Sequence, residues 1–136
     1  MVTISPADLD ILVNLQLAEM DRIGDAGNAA NKEKMAAMMA DEAAMAAEMA
    51  EGEATFKAAD TNADGMLDLA EFKDWCEKTD SSAKAKGWHT SPGSDDDIKS
   101  AWEAMSRISG KEGVTYEAIM GSWEQIFAKV AEKRGE

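Results

Sequence analysis

The residues with the clearest capacity for chemistry lie in a short acidic segment at positions 60–71. It begins with oxygen-bearing side chains at alternate positions, namely Asp60, Asn62 and Asp64. Side chains spaced in this way converge on one point when the chain wraps around it. Hard cations such as Ca²⁺ take six to eight oxygen ligands at about 2.3–2.6 Å. The segment therefore predicts a site for a divalent cation.

The remaining positions of the segment fit the same site. Gly65 permits a sharp turn in which a Cβ atom would be strained. We expect the carbonyl of Met66 to be a ligand, Asp68 to bind directly or through a water, and Glu71 to close the shell with both oxygens. Because most of these side chains are anionic, the loop is expected to be looser without a cation.

Residues 60–71 match the pattern D-x-[DN]-x-[DN]-G-x₅-E in full. The chain therefore resembles the EF-hand calcium-binding family over one helix–loop–helix unit at residues 48–79. Phe56 lies one turn before the loop, Leu67 takes its apolar position, and Trp75 follows at helical spacing. The resemblance implies Ca²⁺ as the bound ion, with Mg²⁺ as a competitor. It also implies a second unit, joined to the first by a short backbone pairing between the loops.

The second unit is expected in residues 94–136, but this region lacks the acidic ligands. Val114 is the natural counterpart of Leu67, and a shift by one residue brings Glu117 to the closing position while Gly113 takes the apolar one. With Val114 aligned, the ligand positions hold Arg107, Ser109, Lys111 and Ala118. We therefore predict a degenerate helix–loop–helix that packs against the first unit and binds no calcium.

Helical signals surround both units. Ser5 as N-cap and Pro6 at the first helical position predict a helix that ends near Gly24. Residues 80–93 are predicted to be a linker, followed by a helix that Ser94 caps. The fold class is therefore predicted as all-α: an EF-hand pair preceded by an N-terminal helical hairpin in residues 1–47, in one compact domain.

The segment 28–59 is rich in Ala and Met, which favour helix, and Gly52 is expected to bend or interrupt it. Its methionines recur at helical spacing. This stripe is expected to face the core, although a soft surface for binding a partner is the alternative. The residues of the stripe are Met35, Met38, Met45 and Met49, with Met39 beside them.

Composition excludes several classes of function. The chain has 136 residues with 14 Lys and Arg against 27 Asp and Glu, a net charge of −13, so we expect no nucleic-acid partner. We expect no membrane span and a cytoplasmic location, because no long apolar run or leader-like segment is present. With one His and with Cys76 as the one cysteine, which we expect to be a buried apolar residue, we predict no enzyme.

The predicted function is calcium-ion binding at one site, as an intracellular sensor or buffer. In a sensor, Ca²⁺ reorients the flanking helices and exposes apolar surface for a target protein or peptide helix. The alternative is a structural or adaptor subunit of a larger assembly with a static calcium site, which the double-sided apolar face of residues 9–23 favours. The candidates for a target surface are Met20, Met49, Met66, Met105 and Met120.

Overall fold

The described part of the chain, residues 3–135 of a computed structural model, consists of helices joined by short turns, with one small antiparallel sheet. The predicted all-α class is confirmed. Its elements are α1 Pro6–Ile23, α2 Asp25–Met39, α3 Glu42–Ala59, β1 Met66–Leu67, α4 Leu69–Ala85, α5 Asp95–Ser109, β2 Val114–Thr115 and α6 Tyr116–Arg134. No helix in residues 3–135 is long and apolar enough to cross a membrane.

Side-chain caps explain where several helices begin and end. The Ser5 hydroxyl accepts the Asp8 N–H at 3.2 Å, and Pro6 opens α1 as predicted. Gly24 ends that helix with φ of +87°, a conformation that residues with a Cβ rarely adopt. The Ser94 hydroxyl caps α5 by accepting the Asp97 N–H, and the Asp97 carboxylate accepts the Ser94 N–H. These interactions satisfy donors that a helix N-terminus otherwise leaves unpaired.

The segment 28–59 forms two helices rather than one, and the break is not at Gly52. Asp41 separates the two helices. Its carboxylate accepts the N–H groups of Ala43 and Ala44 at 3.1 and 3.2 Å and so caps the start of α3. Gly52 lies within α3, whose helical hydrogen bonding continues through it. The expected interruption at Gly52 is therefore wrong. The break lies at Ala40 and Asp41, which end α2 and cap α3.

The methionine stripe does not face the core. Met35, Met39 and Met49 are exposed to 36%, 66% and 53%, whereas Met38 and Met45 are half-buried. The predicted core-facing stripe is therefore wrong for its three exposed members. The reason is that α2 and α3 bury few residues: the buried ones are Gly27 in α2 and Phe56 and Ala59 in α3.

Polar contacts hold α3 against α4. Lys86, just after α4, pairs with Glu48 at 3.0 Å and also with Glu51, and the Ser82 hydroxyl donates to Glu51 at 2.6 Å. Helix α4 extends to Ala85, so the first six residues of the predicted linker 80–93 are helical. These contacts tie the C-terminal end of α4 to the middle of α3.

The core lies between α1 and the C-terminal helices. Leu12 and Val13 of α1 are buried with Met105 of α5 and Ile119 and Ile126 of α6. Helix α1 packs against both α5 and α6. The N-terminal helix therefore covers the apolar face of the C-terminal helical pair. Phe56 and Phe72, on either side of the acidic segment, belong to the same core.

Candidate metal centre

The turn between α3 and α4 is closed by hydrogen bonds to its first acidic residue. Asp60 ends α3, and its own N–H still donates to the Phe56 carbonyl at 3.0 Å. Its carboxylate accepts the N–H of Asp64 at 3.3 Å and that of Gly65 at 2.9 Å. The chain therefore curls around the Asp60 side chain, as the alternating pattern of oxygen-bearing residues predicts.

Two residues of the turn take left-handed backbone conformations. Gly65 has φ of +81°, in agreement with the sharp turn predicted there. Ala63 has φ of +55°, which was not predicted, because alanine gives no signal for this conformation. A left-handed residue with a Cβ atom costs about 1–2 kcal/mol, so the surrounding hydrogen bonds must stabilise this shape.

Glu71 is the most enclosed of the acidic residues in the segment, with 8% of its surface exposed. Its Oε1 accepts the Asp68 N–H at 3.0 Å. Its Oε2 accepts both the N–H and the hydroxyl of Thr61, at 2.9 and 3.0 Å. The carboxylate therefore joins the start of the segment to the start of α4.

These donors change the acidity of Glu71. The Asp68 N–H, followed by the hydroxyl and N–H of Thr61, lowers the pKa of the Glu71 carboxyl below its usual value of 4.5. Burial and the neighbouring charge of Asp64 act in the opposite direction and do not prevail. Glu71 is therefore anionic at neutral pH, the form that a cation requires.

Three carboxylates converge in this segment. One oxygen each from Asp60, Asp64 and Glu71 lies within 4.8 Å of the other two. Asp60 is half-buried, Asp64 is exposed and Glu71 is buried. The group therefore has a protected side and a side open to solvent, from which an ion can enter.

The other predicted ligands have different positions. Asp68 caps α4, since its Oδ1 accepts the Glu71 N–H at 2.8 Å and completes a reciprocal capping pair. Asn62 is exposed. Met66 lies in β1 and its N–H donates to Asp64 Oδ1 at 3.0 Å. The hydrogen bonds from Thr61 to Glu71 were not predicted. Thr61 does not belong to the alternating set of oxygen-bearing residues, so the pattern gave no signal for this contact.

The sheet joins this segment to the second turn of the chain. Leu67 lies opposite Val114 and Met66 opposite Thr115, in an antiparallel pair. Leu67 and Val114 are both fully buried. Val114 of the second turn is therefore the residue that lies opposite Leu67.

The second turn is held by hydroxyl groups rather than by carboxylates. The Ser109 hydroxyl accepts the Thr115 N–H at 3.2 Å and donates to the Met105 carbonyl at 2.9 Å. Arg107 pairs with Asp8 of α1, which packs against α5. Of the residues predicted at ligand positions here, Ser109 thus stabilises the turn and Arg107 links α5 to α1. The absence of calcium binding at this turn stays a prediction.

Comparison of the chain with protein-family models, with curated proteins and with solved structures gives no match. The geometry of the residues themselves is therefore the basis for assigning a function.

Proposed function

We propose that residues 60–71 bind one Ca²⁺ ion and that the protein is a single-site calcium sensor or buffer of the EF-hand type. The observation that carries the proposal is the convergence of Asp60, Asp64 and Glu71, with oxygens within 4.8 Å of one another. Two oxygens on one Ca²⁺ ion are separated by at most about 4.6–5.2 Å, given the usual bond lengths. Each pair of these oxygens therefore lies within the separation that two ligands of one Ca²⁺ ion can have.

The charge in the segment supports the same function. Three ionised carboxylates at this separation repel one another, and N–H donors of the turn stabilise the charges of Asp60 and Glu71. A divalent cation bound among the three would replace their mutual repulsion by attraction to the ion. The residues available to hold it are those of the predicted set, Asp60, Asn62, Asp64, the Met66 carbonyl, Asp68 and Glu71.

Two features bear on how binding would affect the rest of the protein. Met105, one of the predicted target-surface methionines, is 5% exposed, and α1 covers the helices around it. A sensor would therefore have to move α1 or α5 before a target helix could reach this residue. A buffer would bind calcium with the helices in their present arrangement.

The test is a calorimetric Ca²⁺ titration in a background of millimolar Mg²⁺, with tryptophan emission recorded on the same samples. We expect one bound ion per chain. A large emission change together with new apolar surface, detected by a dye, would indicate a sensor, and binding without these changes would indicate a buffer. A titration without a binding event would refute the proposal.

A second candidate function is that of an adaptor with a static calcium site. The exposed methionines on α2 and α3, Met35, Met39 and Met49, favour it because they leave apolar surface uncovered. An adaptor of this kind should bind calcium without a change in tryptophan emission. It should also be recovered as part of a larger assembly. Light scattering of the isolated chain with Ca²⁺ and with a chelator separates the two functions.

A further inference from the structure

The second half of the chain reaches the proposed calcium segment through one tryptophan. Trp102 of α5 donates its indole Nε1–H to the Leu67 carbonyl at 3.0 Å, across 35 positions of sequence. Leu67 is fully buried and Trp102 is half-buried, so water competes weakly for this carbonyl. A buried hydrogen bond to a main-chain carbonyl fixes the direction in which that carbonyl points.

The Leu67 carbonyl and the Asp68 N–H belong to the same peptide bond, which is planar. The Asp68 N–H donates to Glu71 Oε1 at 3.0 Å. A rotation of this peptide plane would turn both groups at once. The indole of Trp102 therefore holds the carbonyl of this peptide, and the N–H of the same peptide holds the carboxylate of Glu71.

The space beside this carbonyl is kept open by a glycine. A Cβ atom at Gly113 would lie 3.0 Å from the Leu67 oxygen and 3.0 Å from the Cβ of Met66. Both distances are shorter than ordinary van der Waals contact, so a side chain at this position would push on the peptide plane. Gly113 thus lets the second turn approach the Leu67 carbonyl more closely than a residue with a Cβ atom would.

We propose that Trp102 is a positioning residue for the calcium site, which acts through the Leu67–Asp68 peptide on the carboxylate of Glu71. This inference rests on the proposed function in naming the ion, but the contact itself exists without one. Trp102 belongs to the second helix–loop–helix, which has few carboxylates of its own at the predicted ligand positions. The proposal therefore gives the second helix–loop–helix a role in the site of the first.

The test compares Trp102→Phe with Trp75→Phe. Phenylalanine keeps an aromatic ring but removes the N–H donor, and Trp75 is the matched control because its buried Nε1 has no hydrogen-bond partner among residues 3–135. We expect the loss of one hydrogen bond in Trp102→Phe to weaken calcium binding by about three- to tenfold. Trp75→Phe is expected to bind as the wild type does.

A second measurement needs no calcium. Amide hydrogen exchange at Asp68 should become faster in Trp102→Phe, by a similar factor, and should be unchanged in Trp75→Phe. Gly113→Ala provides an independent variant that keeps the indole and disturbs the same carbonyl, and it should shift both measurements in the same direction. In the wild type, the indole N–H resonance of Trp102 should move more on calcium addition than that of Trp75.

The outcomes separate this inference from the proposed function. Equal calcium affinities and equal Asp68 exchange rates in the two tryptophan variants would overturn the role of Trp102, even if the wild type binds calcium. If the wild type bound no calcium, the proposed function would fail. In that case faster Asp68 exchange in Trp102→Phe would still support the positioning of Glu71, and unchanged exchange would overturn it.

Discussion

The Asp8 carboxylate on α1 accepts a 2.7 Å hydrogen bond from Nε of Arg107 on α5, across 99 positions of sequence. The Asp8 side chain is 9% exposed, whereas that of Arg107 is 52% exposed. The contact joins the first turn of α1 to the last turn of α5. The ion pair therefore links α1 to α5 at the edge of the core that the two helices share.

Replacement of Arg107 by Ala should destabilise the fold. The change leaves a nearly buried carboxylate without its partner, so we expect the free energy of unfolding to fall by about 1–2 kcal/mol, between the values for exposed and for buried pairs. Urea denaturation measures the difference. Lys57→Ala is the control, because it breaks an exposed pair with Glu53 and should cost less than about 0.5 kcal/mol. Equal losses in both variants would contradict this prediction.

Replacement of Asp60 or Glu71 by Ala should abolish calcium binding. Each change removes one of the three converging carboxylates, and Glu71→Ala also removes the acceptor for Thr61 and Asp68. Calorimetry is the measurement. Asp74→Ala is a matched control, since it removes an acidic residue of α4 that pairs with Lys78 outside the segment. Stoichiometric binding in the micromolar range by the first two variants would show that the ligand assignment is wrong.

The acid stability of the calcium-free protein should depend on Glu71. Because hydrogen bonds from Asp68 and Thr61 lower its pKa below 4.5, its contribution to stability is complete above that pH and is lost as the pH falls through the lowered pKa. Glu71→Gln should therefore make the free energy of unfolding less dependent on pH below 4.5. Thr61→Val, which removes only the hydroxyl donor, should give an intermediate dependence. The prediction fails if urea denaturation in the presence of a chelator gives the same pH slope for all three proteins.

The thiol of Cys76 should react slowly in the native protein. Burial, with smaller effects from the charges of Glu77 and Glu19, raises its pKa from 9.0 to about 12. At pH 8 this shift leaves about a thousandfold less thiolate than an unperturbed cysteine would have. Alkylation by iodoacetamide should accordingly be slow in buffer and fast in denaturant. Similar rates under the two conditions would mean that the thiol is accessible and ionised.

Methionines at different depths should differ in their contribution to stability. Met105 is 5% exposed, and its replacement by Ala should cost about 2–5 kcal/mol because it leaves a cavity in the core. Met39 is 66% exposed, and the same replacement there should change stability by less than about 0.5 kcal/mol. Urea denaturation of the two variants under identical conditions is the measurement. A large loss in Met39→Ala would mean that α2 is covered in solution.

The elements that local signals determine could be predicted from the sequence. Ser5, Pro6 and Gly24 bound α1 because capping depends on residues within one helical turn. The acidic segment could be predicted for a similar reason, since its oxygen-bearing residues are neighbours in sequence. The pairing of Leu67 with Val114 was expected from the resemblance to a known family and not from the spacing of the residues alone.

Features that depend on tertiary contacts could not be predicted in this way. Ser82 belongs to a stretch that is typical of a linker, but its hydroxyl reaches Glu51 of another helix and α4 continues past it. Trp102 fits an apolar stripe, so its hydrogen bond to Leu67 had no signal in the pattern. Asp41 is one acidic residue among many, and the helix break that it caps was hidden by the continuous Ala and Met composition around it.

The packing of α1 on α5 and α6 has a consequence for the order in which a ribosome completes this protein. The partners of Leu12 and Val13 include Met105, which is synthesised about 5–20 s later at usual rates of translation. During that interval residues 60–71 and the helices that flank them, α3 and α4, are synthesised before α5 and α6. The apolar side of α1 therefore lacks its partners α5 and α6 until the C-terminal helices have been synthesised.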